Sequence, residues 1–176
     1  MKVISGSLAG RALVSPAGKL TRPATDKVRS AIFSSLGERI VGASVLDLYA
    51  GSGALGIEAL SRGAAKLDLV EKSASAQKAI RTNLIALGLS ANAKLHSRSV
   101  EAFVKSAEES YDIVFFDPPY AQLDLGLVKT LSHLIQYSGL VVVSCSAKVD
   151  LPSEVGELKL IQQKDYGDTR IGYYGS

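Results

Sequence analysis

Three observations in this 176-residue sequence predict an α/β fold. Short, uniformly apolar runs alternate with helix-length segments from residue 44 onward. A glycine-rich turn stands between the first such run and the segment after it. Beyond residue 150 the alternation gives way to two strand-like runs around Tyr166-Gly-Asp168. Strands that are apolar on both faces belong to a parallel sheet covered by helices, whereas a close pair of strands makes an antiparallel hairpin. The expectation is a Rossmann-like mixed sheet of seven strands with helices on both faces, a C-terminal antiparallel hairpin and a small N-terminal β-hairpin extension.

The elements follow in order. Residues 2–5 and 11–14 form short strands around Gly6 and Gly10. A loop containing Pro16, Gly18 and Pro23 leads to Thr25, which caps a helix carrying Val28, Ala31, Ile32, Ser35 and Leu36 on one face; Gly37 stops it. Strand 44–48 precedes the glycine turn and a helix over 54–61. Strand 66–70 leads to Glu71 and a helix over 74–87 closed by Gly88. A strand near 93–96 and a helix near 100–107 come next. Strand 111–116 ends at Asp117-Pro-Pro-Tyr120, a helix spans about 125–135, and strands 140–144, 158–163 and 169–174 complete the set. One domain is expected over 1–176, with the hairpin and a basic loop in 1–24 and the core in 25–176.

Composition is that of an ordinary globular protein, with 47% hydrophobic and 21% charged residues. No apolar stretch approaches the ~18 residues of a membrane span, and the N-terminus lacks a signal-peptide core, so the expected location is cytoplasmic. The lone Cys145 lies in an apolar run and reads as a buried small side chain. His96 and His133 show no ligand spacing with it, so no metal is expected. No apolar stripe is left over, which points to a monomer. Residues 1–40 hold seven basic residues against two acids, a net +5 in a chain whose total is +3. That imbalance suggests that one end meets a polyanion.

The chemistry lies at the ends of the predicted strands. Asp117-Pro-Pro-Tyr120 combines an acid, two prolines that fix the backbone and a ring that can cover a flat ligand, a small pocket for a planar amine. Gly51-Ser-Gly53-Ala-Leu-Gly56 follows a strand and opens a helix, and Glu71 lies 20 residues after Gly51. This spacing also fits a dinucleotide fingerprint, so an NAD-linked oxidoreductase is a rival. Asp47, on the strand itself, favours a ligand with a cationic amino group, which a pyrophosphate lacks. An acid for an ammonium and another, Glu71, for ribose hydroxyls describe S-adenosylmethionine better than NAD.

Taken with Gly6-Ser-Leu-Ala-Gly10-Arg11, Thr21-Arg-Pro-Ala-Thr-Asp-Lys-Val-Arg29 and Tyr166-Gly-Asp-Thr-Arg170, these motifs resemble nearly end to end the class I S-adenosylmethionine-dependent methyltransferases. Within them the chain is similar to the bacterial family that methylates the N2 amine of a guanine in small-subunit (16S) ribosomal RNA. The resemblance implies catalytic roles for Asp117, Pro118 and Tyr120. It implies cofactor contacts from Asp47, Tyr49, Gly51, Gly53, Glu71, Ser99 and Thr25, and RNA contacts from Arg11, Lys19, Arg22 and Arg29. Ser99 stands where an acid often reaches the adenine amine. It further implies 16S rRNA, free or in a partly or fully assembled subunit, as partner. Methylation of another planar amine (DNA adenine N6 or protein glutamine) uses a similar tetrapeptide and is the nearest alternative.

Overall fold

In the computed structural model, residues 1–16, 25–119 and 123–176 are described. Helix α1 (Asp26–Leu36) begins where Thr25 Oγ1 accepts the Val28 N–H at 3.3 Å and ends at Gly37, whose φ of +54° reverses the chain. Then follow β1 (Ser44–Leu48), α2 (Ala54–Ser61), β2 (Lys66–Val70), α3 (Ala74–Ala86), β3 (Ala93–His96), α4 (Val100–Ser106), β4 (Tyr111–Phe116) and α5 (Leu125–Thr130). A 3-10 turn over Leu131–Leu134 leads into β5 (Ile135–Ser146), β6 (Glu154–Val155), β7 (Leu158–Tyr166) and β8 (Thr169–Gly175).

The strands form one sheet in the order β3-β2-β1-β4-β5-β8-β7-β6. The first five are parallel, and β8, β7 and β6 continue antiparallel. The predicted seven strands become eight because the two-residue β6 folds back onto β7 through Glu154 and Val155.

Alternation along the strands divides the core. Val45, Leu67, Ile113, Phe115 and Val142 face α1, α2 and α3. Leu46, Leu48, Val114, Phe116 and Val143 face α4, α5 and the 3-10 turn. Each fully buried aliphatic or aromatic side chain contributes about 1.5–3 kcal/mol, so both faces hold their helices.

The predicted N-terminal hairpin is present but short: around the Lys2–Ala12 bridge, the N–H groups of Val3, Gly10 and Leu13 donate to the carbonyls of Arg11, Val3 and Met1, each at 2.9 Å. Its neighbouring donors go elsewhere: the N–H groups of Ile4 and Ser5 donate to Glu58 Oε2 and Oε1 at 2.7 and 2.9 Å. Gly6, at φ +84°, rests on the Ser61 carbonyl so closely that a Cβ would lie 1.8 Å from its oxygen. Past Val3 the first arm docks onto α2 instead of lengthening the ladder. The helix expected over 125–135 also shortens, because α5 tightens into the 3-10 turn and β5 starts at Ile135.

Chain order fixes where a ligand can sit. From β1 the chain winds outward through β2 to β3, then returns to place β4 on the other side of β1. Connections diverge at the β1–β4 boundary, which opens a crevice beyond the carboxyl ends of those strands.

Candidate active site

Asp47, Glu71 and Asp117 stand at the carboxyl ends of β1, β2 and β4, around that crevice. Asp47 is 1% exposed, and its Oδ2 accepts the Gly56 N–H at 2.9 Å. Burial pushes its carboxyl up to about 7, against the Gly56 hydrogen bond; the charges of Asp117 and Glu71 raise it further. Both of those acids therefore stand close enough to Asp47 for their charge to act on it. Glu71 Oε2 accepts the Gly51 N–H at 2.9 Å and Oε1 the Ser73 N–H at 2.7 Å, so it holds the glycine turn to the start of α3. Asp117, half-buried, is pushed up to about 6 by burial, while a hydrogen bond from Ser144 opposes the shift. Among the described residues none of the three acids has a cationic partner. A crevice of this charge suits a cationic ligand.

The turn follows the logic of close approach. Gly51 and Gly53 adopt φ of +58° and +78°. Gly56 lies against β2, where a Cβ would meet Leu67 Cδ1 at 2.6 Å and Asp47 Oδ2 at 3.1 Å. Tyr49 is the one non-glycine residue at positive φ among those described, at +61°. Its ring packs edge-on against Phe116 at 5.4 Å between centroids, and its hydroxyl donates to Glu101 Oε1 at 3.4 Å. Burial and the Glu101 charge push the phenol up to about 12. Tyr49 thus bridges the glycine turn and the strand that ends in Asp117; backbone strain of this kind concentrates at functional sites.

The other predicted residues are engaged as follows. Arg29 does not reach solvent: it is 1% exposed. Its Nη2 donates to the Lys2 carbonyl at 2.5 Å and to Asp26 Oδ1 at 3.1 Å, and its Nε lies 3.7 Å from Glu58 Oε2. A side chain locked into this clasp has no reach toward a phosphate, so the predicted RNA contact is corrected to a structural tie between α1, α2 and the N-terminal segment. The Ser99 hydroxyl accepts the Ala102 N–H at 3.2 Å as the cap of α4 and also bonds Glu101. Thr25 likewise spends its hydroxyl oxygen capping α1. Arg11 is exposed, with Nη2 donating to the Ala86 carbonyl at the end of α3. Pro118 is buried beside Asp117. Tyr120, Lys19 and Arg22 lie outside the described residues.

Sequence reasoning missed Glu58, fully buried within α2, which accepts from two backbone N–H groups and from Arg62 Nε at 2.7 Å. The signal was present: a glutamate inside Ala-Leu-Gly-Ile-Glu-Ala-Leu interrupts an otherwise apolar helix. His96 is engaged by Asp68 at 2.7 Å and packs edge-on against Phe103, while Cys145 is buried.

The family described as "Conserved hypothetical protein 95" matches residues 1–175. The chain belongs to this family. Among its relatives, a Bacillus subtilis (strain 168) protein provisionally named the rRNA methyltransferase YlbH is 38% identical, with 99% of this chain and 98% of that protein covered. Ribosomal RNA small subunit methyltransferase D of Escherichia coli (strain K12) is 33% identical over 99% of this chain and 89% of its own length. A solved Escherichia coli structure, provisionally described as the methyltransferase yhhF, superposes with a TM-score of 0.88 at 33% identity, covering 99% of this chain and 96% of that one. The chain thus has the Rossmann-like methyltransferase fold, and its three acids stand at the crevice of that fold.

Proposed function

We propose that the protein transfers a methyl group from S-adenosylmethionine to the exocyclic N2 amine of a guanine in small-subunit (16S) ribosomal RNA. The observation that carries this reading is the convergence of Asp47, Glu71 and Asp117, without a cationic partner among the described residues, around a glycine turn at the switch point of the sheet. Donor and acceptor chemistry fit the cofactor. Buried acids suit its ammonium and sulfonium charges, Glu71 suits vicinal ribose hydroxyls, and Gly51 and Gly53 let the backbone approach. Kinship with the Escherichia coli enzyme supports rRNA as the substrate.

When bound, S-adenosylmethionine supplies an electrophilic methyl group on a sulfonium. The protein's part is positioning and electrostatics. A guanine edge is hidden in a duplex, so the base enters the crevice flipped or from a single strand. Its N2 lone pair is delocalised into the ring. The Asp117 carboxylate and the Pro118 carbonyl accept the two N2–H groups, which turns the lone pair out of conjugation toward the methyl. The nitrogen becomes acidic as it gains the methyl, and Asp117, held by Ser144, is the group placed to take its proton. Tyr120 supplies a stacking face for the base. In this reading the chain acts as a single-domain monomer in the cytoplasm, where ribosomal RNA is met.

The test is methyl transfer from labelled S-adenosylmethionine to unmodified small-subunit rRNA, naked and assembled with its proteins, with DNA as control. Label on N2 of one guanine, abolished by Asp117→Ala, is expected. Label on DNA or protein amides instead, with none on rRNA, sinks the reading.

A further inference from the structure

We propose that exposed cations on α3, the β3 edge and α4 form a second surface for the RNA phosphate backbone, continuous with the N-terminal segment. The inference rests on the rRNA reading above. Residues 72–106 contain Lys72, Lys78, Arg81, Lys94, Arg98 and Lys105 against a single acid, Glu101, a net +5 equal to that of residues 1–40. The rest of the chain is correspondingly acidic, with seven basic residues against fourteen acids. The molecule is therefore polarised, although its total charge is only +3.

All six cations are exposed, and none takes part in an ion pair among the described residues. Glu101, the one acid, bonds the Tyr49 and Ser99 hydroxyls and feels the charge of one of the six, Lys72. The elements that carry them wrap the β3 edge, with α3 on one face of the sheet and α4 on the other. β3 is the edge strand of the sheet, and Arg81 Nη2 on α3 donates to Ser97 Oγ at 3.0 Å across to the loop after β3. Arg98 Nη1 in that loop donates to Ser106 Oγ, next to Lys105, at 3.3 Å. Lys72 follows Glu71 directly, so the surface starts at the crevice.

The other end of α3 meets the N-terminal segment. Arg11 is anchored on the Ala86 carbonyl, and Asn83 pairs with the Val14 backbone through Oδ1 at 2.8 Å and Nδ2 at 3.0 Å. Lysine on a sheet edge also guards against strand pairing. That role needs one or two lysines; it does not account for six cations of one sign spread over two helices and a loop. A run of cations outside any close ion pair, leading away from a catalytic crevice, fits a backbone of regularly spaced phosphates, each neutralised phosphate releasing counterions.

The test compares two triple variants in the full chain. Lys78→Glu, Lys94→Glu and Lys105→Glu lie on the proposed surface, and none of these lysines makes a side-chain hydrogen bond among the described residues. Lys148→Glu, Lys159→Glu and Lys164→Glu make the same charge change toward the opposite sheet edge. Binding to a small-subunit rRNA fragment is measured against salt, with S-adenosylhomocysteine affinity as the check on folding. The expected result is RNA affinity about tenfold or more weaker for the first variant at 0.1 M salt and a log–log salt slope shallower by about two, at ~0.7–0.9 for each phosphate no longer neutralised. Cofactor-product affinity stays unchanged, and the second variant stays within about threefold of the parent. Equal weakening in both variants, or no change in the first, overturns the proposal. A parent protein that binds no rRNA overturns the rRNA reading as well and is recognised by that.

Discussion

Asp47 Oδ2 accepts the Gly56 N–H at 2.9 Å, so the acid on β1 is tied to the helix that opens the crevice. The same carboxyl is pushed up to about 7 by burial, which makes its ionised form costly to the empty protein. Asp47→Asn keeps an oxygen for Gly56 and removes that cost. The sign follows from linkage. A carboxyl whose folded pKa is raised destabilises the fold increasingly as pH climbs from its unfolded value, near 4, to its folded one. Asp47→Asn is expected to raise Tm by several degrees at pH 8, an advantage that shrinks as pH falls from about 7 toward 4. S-adenosylhomocysteine binding should fall at least tenfold. Thermal melts across pH and calorimetry check both halves; an unchanged Tm at pH 8 contradicts the assignment.

Asp117 gives a second pH handle. Its carboxyl sits up to about 6, and the acceptor of amine protons must be ionised. Single-turnover methyl transfer should therefore decline about tenfold per pH unit below about 6. In Asp117→Asn that limb should vanish while the plateau drops by about 10²–10⁴-fold, the usual scale for a lost acid–base group. A variant with a parent-like plateau sinks the role.

The clasp around Glu58 is a stability device. Glu58→Ala leaves Arg29 buried beside no fully buried acid and strips the acceptor from the Ile4 and Ser5 N–H groups. Breaking a buried pair costs about 3–5 kcal/mol. For a chain of this length that is a Tm drop on the order of 10 °C or more. A loss below about 1 kcal/mol in denaturant titration would mean that the clasp is ornamental.

Gly56→Ala probes close packing without touching charge. The added methyl meets Leu67 Cδ1 at 2.6 Å and must displace that buried side chain or push α2 away from β2. A loss of about 1–3 kcal/mol is expected from overpacking. Cofactor affinity should weaken along with it, because Asp47 and the glycine turn share that packing; full affinity in a destabilised protein would separate the two.

The crevice is legible in the sequence because its parts are local. A strand, a glycine turn and a helix follow one another in the chain, and an acid at a strand end needs no tertiary knowledge to be placed. Arg29 misleads for the opposite reason: its partner Glu58 lies 29 residues on, and only packing of α1 against α2 reveals the clasp. Ser99 and Thr25 carry hydroxyls whose duty is set by the nearest free N–H of their own helices. The strand count slips at Glu154–Val155, too short for any period to register. The second basic surface occupies one stretch of sequence, 72–106, but only the fold shows that all six of its cations reach solvent around a single sheet edge.

The strand β8 follows β7 along the chain yet lies between β7 and β5 in the sheet. Until residues 169–175 exist, the long edge of β5 has nothing to pair with and β7 has no place to dock. On the ribosome the cofactor half, through β4 and β5, can assemble first, with its open edge exposed to other chains. Insertion of β8 is then the closing event of folding, and a chain cut before Thr169 is expected to aggregate even though every crevice acid is already present.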